Sequence, residues 1–561
     1  MNNTTKEPAH RGSLSPFLFQ NLDLLLLLAV VAIMFFYRLG SYPLFDLDEP
    51  RYAEAAREML ENGNWITPYF NYELRFDKPV FFYWLIALAY KLFGVSEFAA
   101  RFFSAVTASI TVFAVFAFGK HWISRQHGFF SALILATSIL FAGIARMSIT
   151  DMTLSCFMTL TTLCLFMAAH QNLRWWLAAG AIAGLGVLTK GPVAIVVPGA
   201  IFVLYAWLIG DFKRCLLNRW LPIAVGICLM IAVPWYILAY LQNGQIFLDA
   251  LFLHNVTRYS DVVSGHKQAS YFYVIVLLAG FLPWTAYLPA AIRSLWQRAK
   301  HHKTLVASHN FRYLVPLYGA VWTVFIFTFF TAGNTKLLTY ILPLFPGLAL
   351  WMAEAWLSQA EQTENGDARP STWWTIPAWG LVLTTVIGGF IFLTRMESLL
   401  PREAAGIQAN GYNLAAVLAL LTGTLLTAWL LNRKNIRKAL LAQALTLPLV
   451  LIISMQGILP NVSKAAQGVM MDYLKRTGQS PLMLYEIQRP SLTFYGKRRI
   501  PRFVEEDRPE LVQELNKNKQ TYVITKSAYL TDFSQLMPPS LKVRILEKGP
   551  VYSLLSVDKA P

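Results

Sequence analysis

The feature that most constrains this chain is a series of apolar stretches, each close to the length of one bilayer crossing, between residues 22 and 459. A transmembrane helix needs about 20 predominantly apolar residues, and short polar breaks separate these stretches. Hydrophobic residues make up 56% of the 561 residues and charged residues only 14%, which excludes an ordinary water-soluble domain. The pattern predicts a polytopic α-helical membrane protein.

Thirteen of these stretches are predicted to span the membrane. They cover residues 22–37, 98–118, 129–145, 152–169, 175–188, 193–208, 221–241, 271–292, 313–331, 337–356, 374–393, 414–431 and 439–459. An odd number of spans places the two chain termini on opposite sides of the membrane. The break at residues 189–192 lies between two short spans and also allows a hinged or partly re-entrant pair.

Basic loops set the predicted orientation. The apolar and aromatic segment 79–93 has 15 residues and is short for a crossing. If it lies on the membrane surface, the basic loops around Lys120, Lys213, Arg298 and Arg433 all fall on the side of the N-terminus. The positive-inside rule then makes that side cytoplasmic, and these loops account for most of the net charge of +17, so no nucleic-acid partner is expected. The segment is therefore predicted to be an interfacial helix, and residues 39–97 form an exterior loop, called loop 1 below.

The pattern changes after residue 460, which divides the chain into a membrane domain, 1–460, and a soluble domain, 461–561. Short β-like runs cover residues 482–486, 521–525, 543–547 and 551–556 and alternate with polar helical stretches such as 508–516. This alternation predicts a small α/β domain, which the parity of the spans places on the exterior side of the membrane. Its basic cluster at residues 497–502 fits a solvated face or a guide for anionic lipid.

Loop 1 is predicted to contain a helix that lies flat on the bilayer with one apolar face. That face has the spacing i, i+3, i+4, i+7, i+8 and consists of Tyr52, Ala55, Ala56, Met59 and Leu60. Pro50 suits the first turn, and Gly63 suits the end. Asp48 lies at or near the N-cap, where it can cap the helix, serve as a functional anion, or do both. Asp46 and Glu49 are expected to be solvated.

Several charged and aromatic side chains are expected to meet on the exterior side. Lys78, at the membrane interface, fits a lipid-phosphate ligand as well as a snorkelling lysine. Asp151 fits a second functional carboxylate as well as the N-cap of the fourth span. The predicted site comprises the carboxylates Asp48 and Asp151, the cations Arg51, Lys78, Arg258 and Lys336, and the aromatic residues Tyr52 and Tyr340. This set of residues predicts a phosphate-binding site with carboxylates beside it.

Five groups of motifs resemble those of a known family. They are Arg38-Leu39-Gly40, Asp-Glu-Pro-Arg-Tyr-Ala at 48–53, Gly63-Asn64-Trp65-Ile-Thr-Pro68, Phe76-Asp77-Lys78-Pro79 with Tyr83-Trp84-Leu85, and Thr150-Asp151-Met152. On these residues the chain resembles the bacterial polyprenyl-phosphate glycosyltransferases of the GT-C superfamily. Within that superfamily it is most similar to the transferases that attach 4-amino-4-deoxy-L-arabinose to lipid A, which are relatives of the protein O-mannosyltransferases. The resemblance covers nearly the whole chain and is densest in residues 38–160.

The resemblance implies a GT-C inner-membrane enzyme with about 13 transmembrane helices, juxtamembrane helices in loop 1, a periplasmic active site and a periplasmic α/β domain. The implied donor is undecaprenyl-phosphate-linked aminoarabinose, the implied acceptor is a lipid A phosphate, and the product confers resistance to cationic peptides such as polymyxin. Asp48 and Asp151 are implied to be catalytic, and the other site residues are expected to bind the carrier phosphate. No cofactor is required by the sequence, and a divalent metal near Asp48 and Asp151 is left open. The protein is expected to act as a monomer among membrane lipids.

Two alternatives remain at this point. One is a GT-C transferase that moves another polyprenyl-linked sugar to a protein or glycan. The other is a transporter or flippase for a lipid-linked sugar. The gathering of charged residues at one interface, rather than near the bilayer midplane, argues against the transporter.

Overall fold

Long apolar helices form most of the chain in the computed structural model, which describes residues 21–253, 268–366, 370–401 and 403–559. Up to residue 145 the helices are Leu22–Val31 with its π-helical continuation Ala32–Phe36, Asp48–Asn62, Phe81–Phe93, Glu97–Trp122, Arg125–Ala136 and Ile139–Ala145. The next are Thr150–His170, Trp175–Lys190, Val193–Leu208, Phe212–Leu216, Trp220–Asn243, Gln245–Phe252, Phe272–Gly280, Trp284–Tyr287, Leu288–Ala299 and His302–Ala307. The last in this part are Phe311–Ala332, Leu338–Leu344, Phe345–Glu364, Thr372–Thr394, Met396–Leu399, Ala404–Gln408, Tyr412–Asn432, Ile436–Ile453 and Ser454–Ile458.

The predicted spans can be compared with these helices one by one. In the described part of the chain eight helices are long and apolar enough to cross a membrane, and two bent pairs raise this number to ten. Four shorter apolar helices cover Leu22–Phe36, Phe81–Phe93, Trp175–Lys190 and Val193–Leu208. Every predicted span overlaps one of these segments, which confirms the polytopic helical class. The exact number of thirteen crossings stays a prediction.

Two spans are broken rather than straight. The pair Arg125–Ala136 and Ile139–Ala145 bends by 70°, and Phe272–Gly280 bends by 105° into Trp284–Ala299. Pro283 lies in the second break, where a ring without an amide hydrogen cannot continue the helical hydrogen bonds. Hydrophobic length alone does not reveal such bends.

Loop 1 folds onto the bundle as two helices and a short hairpin. Its first helix, Asp48–Asn62, ends at Gly63, whose φ of +69° is the left-handed conformation that glycine adopts without strain. Strands Tyr69–Phe70 and Glu73–Leu74 pair antiparallel, and Phe81–Phe93 packs against the first helix. The predicted helix and its end are confirmed.

The surroundings of this loop-1 helix differ from the expectation of an amphipathic helix lying flat on the bilayer. Its apolar residues Ala55, Ala56 and Met59 are buried, but so are Glu54 and Glu58 on the opposite side. The helix Pro490–Gly496 of the C-terminal domain packs against it, so that protein surrounds it on several sides. The spacing of apolar residues within one helix cannot predict contacts with residues so distant along the chain.

Burial of Glu58 leads to a pH-dependent stability. Glu58 is 1% exposed and accepts a hydrogen bond from the Tyr72 amide at 2.9 Å. Burial, reinforced by the negative charge of Glu54, raises the pKa of Glu58 from 4.5 to about 7. The folded chain therefore binds more protons here than the unfolded chain does between these two values, and its stability falls as the pH rises through this window.

We expect Glu58→Gln to remove this loss, because the amide stays neutral at every pH. Thermal unfolding of the full chain in detergent should show the variant gaining more over the native protein at pH 8 than at pH 5. Glu61→Gln, on the same helix but with a side chain 50% exposed, is the control and should show no such difference. A Glu58→Gln gain that is the same at both pH values would contradict the assignment.

The C-terminal domain is a five-stranded mixed sheet with helices on both faces. Its strands are Leu482–Tyr485, Arg502–Phe503, Gln520–Lys526, Leu541–Lys548 and Tyr552–Lys559, and its helices are Leu459–Thr477, Pro490–Gly496, Glu505–Asp507, Arg508–Leu515, Ser527–Tyr529 and Leu530–Leu536. In chain order of these strands the sheet runs 2-1-3-5-4, with strand 1 parallel to strands 2 and 3 and the remaining pairs antiparallel. Alternate residues of strand 1 enter two separate apolar cores, one on each face. The predicted α/β fold and its four predicted strands are confirmed, whereas the short strand Arg502–Phe503 was not predicted.

The C-terminal domain and the bundle are joined by continuous helix. Ile436–Ile453 passes through the π-helical turn Ser454–Ile458 into Leu459–Thr477 without a break. A helix, rather than a flexible linker, therefore connects the C-terminal domain to the bundle. This helical connection determines where the C-terminal domain meets loop 1.

Candidate active site

A cleft of about 220 Å³ lies where loop 1 meets the helix ends and the segments between helices. We call it the loop-1 cleft. Its polar lining consists of Asp77, Lys78, Asp151, Lys190, Tyr236, Asn334, Thr335, Thr339 and Tyr340. Its apolar lining includes Phe76, Leu154, Met158, Val193, Trp235, Phe247, Leu251, Phe330 and Pro343. The cleft combines charged groups with a larger apolar wall.

Asp151 and Lys190 form an ion pair inside the cleft. Lys190 Nζ donates to Asp151 Oδ1 at 2.7 Å, and their side chains are 15% and 14% exposed. The same ammonium lies 5.0 Å from the centre of the Tyr340 ring, within the range of a cation–π contact. Asp151 lies in the first turn of Thr150–His170, and Lys190 is the last residue of Trp175–Lys190. Two helix ends therefore bring opposite charges together.

Lys190 was missed as a site residue, because the sequence around it reads as a break between two short spans. The available signal is a lone lysine followed by Gly191-Pro192 amid apolar sequence. An ionisable residue in that setting is a functional candidate in its own right. Gly191 has a φ of +93°, which only glycine adopts easily and which turns the chain after Lys190.

The strip of loop 1 from Arg75 to Lys78 forms another wall. Arg75 Nη2 lies 2.8 Å from Asp77 Oδ2, and Arg75 Nε donates to the Tyr83 hydroxyl at 3.3 Å. Lys78 is half-buried and lines the cleft beside Asp77. The predicted interfacial lysine therefore shares one cavity with Asp151.

Arg51 and Asp48 occupy the beginning of the loop-1 helix beside this wall. Burial, and then the positive charge of Arg75, lowers the pKa of Arg51, whereas Asp48 and Asp77 act in the opposite direction. These four groups therefore share one electrostatic neighbourhood. Asp48 itself is exposed and is not a lining residue of the cleft. The helix begins at Asp48, with Leu47 at the N-cap position, so Asp48 lies next to the N-cap, within the predicted range.

The remaining predicted site residues are placed as follows. Tyr52 is buried, and the centre of its ring lies 5.7 Å from the centre of the Tyr83 ring. The Arg75 guanidinium lies over the Tyr52 ring. Burial raises the pKa of Tyr52 well above its usual value. Lys336 is buried and donates to the carbonyl of Gly333, which lines the cleft, at 2.6 Å. Arg258 lies outside the described residues.

The expectation that Glu49 is solvated is wrong. Glu49 is fully buried and receives two hydrogen bonds from Arg101, each 2.8 Å long. It also accepts the amides of Phe45 at 2.8 Å and Ser148 at 2.7 Å. The residue next to Asp48 therefore fastens loop 1 to the bundle.

Asp46 was also expected to be solvated, and this is wrong as well. Its side chain is 6% exposed and pairs with Arg489 at 3.3 Å. It accepts hydrogen bonds from the Ser491 amide at 2.9 Å and the Ser491 hydroxyl at 2.6 Å. Its partners lie more than 440 residues away along the chain, beyond the reach of any local pattern.

No group of three or more histidine, cysteine, aspartate or glutamate residues with the arrangement of a metal site was found within residues 21–253, 268–366, 370–401 and 403–559. The charged lining of the cleft can hold an ionic headgroup directly. Its lysines are matched to phosphate oxygens, and its carboxylates are matched to an ammonium group.

Comparison with known proteins finds a matching family model and similar relatives. The family model described as dolichyl-phosphate-mannose-protein mannosyltransferase matches residues 77–238. The undecaprenyl phosphate-α-4-amino-4-deoxy-L-arabinose arabinosyl transferase of Aeromonas salmonicida is 26% identical over 539 residues, which cover 93% of this chain and 91% of the relative. That of Aeromonas hydrophila subsp. hydrophila is 28% identical over 76% of each chain.

Solved structures show the same fold. The crystal structure of ArnT from Cupriavidus metallidurans bound to undecaprenyl phosphate superposes with a TM-score of 0.75 and 21% identity, covering 96% of this chain and 98% of that one. Its apo state gives a TM-score of 0.73. The resemblance inferred from the sequence is thereby confirmed: in sequence this chain is similar to the arabinosyl transferases and, over residues 77–238, to the mannosyltransferase family, and in fold it is similar to ArnT.

Proposed function

We propose that this protein transfers 4-amino-4-deoxy-L-arabinose from undecaprenyl phosphate to a phosphate of lipid A. The observation that carries the proposal is the loop-1 cleft, in which Lys78 and Lys190 lie beside Asp77 and Asp151 at the end of an apolar wall. A polyprenyl-phosphate sugar needs such a combination, because it joins an ionic head to a hydrocarbon tail. Burial of the tail against the apolar wall supplies affinity, and the head determines the position.

The charge of the cleft suits this donor. Among the described residues, two lysines and two aspartates line it, so the formal charges of the described lining balance. The donor head is also balanced, because its phosphodiester carries one negative charge and its sugar ammonium one positive charge. The donor phosphate lies at Lys78 and Lys190, with Arg51 beside them. The ammonium group of the donor sugar lies towards a carboxylate of the cleft. An uncharged sugar on the same carrier would leave one carboxylate without its counterion.

The reaction breaks the bond between the anomeric carbon and the carrier phosphate oxygen, and its electron pair stays on that oxygen. An oxygen of the lipid A phosphate forms the new bond to the anomeric carbon. Fixed cations stabilise the charge that develops on the leaving phosphate, and the partly dry cleft strengthens their effect. The acceptor monoester has its second pKa near 6 and is already largely ionised at neutral pH, so a strong general base is unnecessary.

The two predicted catalytic carboxylates then have different tasks. Asp151 keeps Lys190 in the cleft through their 2.7 Å contact and remains an anion beside it. Asp48 is exposed at the edge of the same neighbourhood, where an acceptor can reach it. It orients the acceptor or holds the amino group of the sugar. Tyr52 supports Arg75, and Tyr340 supports Lys190, by contact with their charged groups.

The protein acts in the bacterial inner membrane, with its N-terminus cytoplasmic and the C-terminal domain periplasmic. It works as a monomer, and its product lowers the negative charge of lipid A, which gives resistance to cationic peptides such as polymyxin. The basic loops around Lys120, Lys213, Arg298 and Arg433 support this orientation through the positive-inside rule.

Purified full-length protein, labelled donor and lipid A in detergent test the function. Mass spectrometry should find lipid A carrying aminoarabinose, and the amount should depend on time and enzyme. Labelled donor that stays unchanged, together with its movement across vesicle membranes, would identify a flippase instead. Transfer to a peptide or glycan but not to lipid A would identify another GT-C transferase.

A further inference from the structure

We propose that the C-terminal domain positions the Asp48 carboxylate for the transfer reaction, through the grip of Arg489 and Ser491 on Asp46. This rests on the proposed function and adds positioning residues that lie outside the cleft. The contact lies between the last domain of the chain and the first exterior loop. It assigns to the α/β domain a task in turnover as well as in architecture.

The position of Asp48 depends on its backbone. Asp48 and Leu47 are both exposed. Among residues 21–253, 268–366, 370–401 and 403–559, no hydrogen bond or ion pair holds the Asp48 carboxylate. A side chain without such a partner points where its own backbone directs it. The neighbours of Asp48 that are held therefore determine where the carboxylate lies.

The segment before Asp48 is held by the C-terminal domain. Asp46 accepts hydrogen bonds from the amide and hydroxyl of Ser491, and Arg489 adds its charge at 3.3 Å. Arg489 is itself held over the Tyr552 ring at 4.9 Å. Burying a carboxylate is costly unless it is paired, so Asp46 stays with this partner set and fixes the backbone two residues before Asp48.

Two further contacts hold Leu44 in the same segment. The Leu44 amide donates to the Tyr495 hydroxyl at 3.0 Å, and Gln467 donates to the Leu44 carbonyl. The Tyr495 hydroxyl in turn donates to Glu97 at 2.9 Å. On the other side of Asp48, Glu49 belongs to the bundle through Arg101. Asp48 therefore stands between one residue that the C-terminal domain holds and one that the bundle holds.

The lining of the loop-1 cleft does not depend directly on this grip. In the described part of the chain, the residues that line the cleft lie between Phe76 and Pro343, and none comes from the C-terminal domain. Asp48 in this arrangement orients the acceptor and not the donor sugar, so loosening Asp46 should leave donor binding nearly unchanged and misplace the carboxylate during turnover. A misplacement of about 1 Å costs on the order of 10²-fold in rate when a reaction depends on orientation.

The test uses full-length protein in detergent with donor and lipid A, comparing Arg489→Gln, Asp46→Asn and the double variant. We expect kcat to fall at least about tenfold in each single variant while KM for the donor stays within about twofold. The double variant should lose no more than the worse single variant, because both changes act through one contact. The matched control is Arg544→Gln, which removes an exposed arginine pair inside the same domain, with 2.9 Å between Arg544 Nε and Asp558 Oδ2. It should keep its native kcat.

Ser491→Ala is a milder second variant, because it removes one hydroxyl and keeps the backbone amide on Asp46. It should lower kcat about threefold without a change in the unfolding temperature, and Ser491→Thr, which keeps a hydroxyl, should restore the rate. An inactive native protein would refute the proposed function itself. An active native protein with normal kcat in Arg489→Gln and Ser491→Ala, a rise in KM instead, or an equal loss in Arg544→Gln would overturn the positioning role alone.

Discussion

Lys78→Ala should lower kcat/KM for the lipid-linked sugar at least about 100-fold and leave a folded protein. Removing one fixed donor from the site where charge develops typically costs 10²- to 10³-fold in rate. Lys78 is half-buried in the wall of the loop-1 cleft, next to Asp77, and Asp151 and Lys190 line the same cleft. In the native protein the Lys78 ammonium faces the carrier phosphate, both in the bound donor and in the leaving group, and the substitution removes it.

The measurement is lipid A mass spectrometry, from cells with equal membrane amounts of each variant and from purified enzyme. Lys91→Ala is the matched control, because Lys91 is a second loop-1 lysine that is exposed and lies over the Trp65 ring at 4.6 Å, outside the cleft lining. It should keep native activity. Native aminoarabinose addition by Lys78→Ala would reject the phosphate role of this residue.

The membrane part of the fold could be predicted because hydrophobic length is a local property of the sequence. Each predicted span overlaps an apolar helix, and the strands of the C-terminal domain appear as short β-rich runs between turns. The bends at residues 137–138 and 281–283 escaped prediction, because an apolar stretch has the same composition whether it is straight or folded back. The C-terminal helix that covers loop 1 escaped for a related reason, since only tertiary contact creates its partner.

The site divides in the same way. Asp48, Lys78 and Asp151 stand in short motifs at the ends of apolar segments, so both their position and their sign of charge can be read locally. Lys190 has the same kind of setting, but the glycine and proline after it suggest only a break. Glu49 and Asp46 look like ordinary exposed acids next to Asp48. Their partners, Arg101 and Ser491, lie 52 and 445 residues away, and nothing in either local sequence indicates the pairing.

Arg101→Leu should cause the largest loss of stability of any change considered for this chain. Arg101 and Glu49 are both fully buried and share two hydrogen bonds, and Arg101 also donates to the carbonyls of Leu39, Tyr42 and Pro43. Leucine fills much of the space but leaves the Glu49 charge and these carbonyls without their donors. Removing one partner of a buried ion pair costs about 3–5 kcal/mol. Loop 1 should then detach from the bundle, and activity should disappear with it.

Thermal unfolding in detergent and the amount of protein in the membrane measure this loss. Arg125→Leu is the control, since its pair with Asp23 is 2.6 Å long but the arginine side chain is 41% exposed, and solvent can replace the lost contact. Adding Glu49→Gln to Arg101→Leu should recover part of the lost stability, because no uncompensated charge then remains buried. If Arg101→Leu and Arg125→Leu unfold at the same temperature, the Glu49–Arg101 pair does not hold loop 1 in place. If the double variant is less stable than Arg101→Leu, neutralising Glu49 has removed a favourable interaction and not a penalty. The stability lost in Arg101→Leu would then come from packing and not from the buried Glu49 charge.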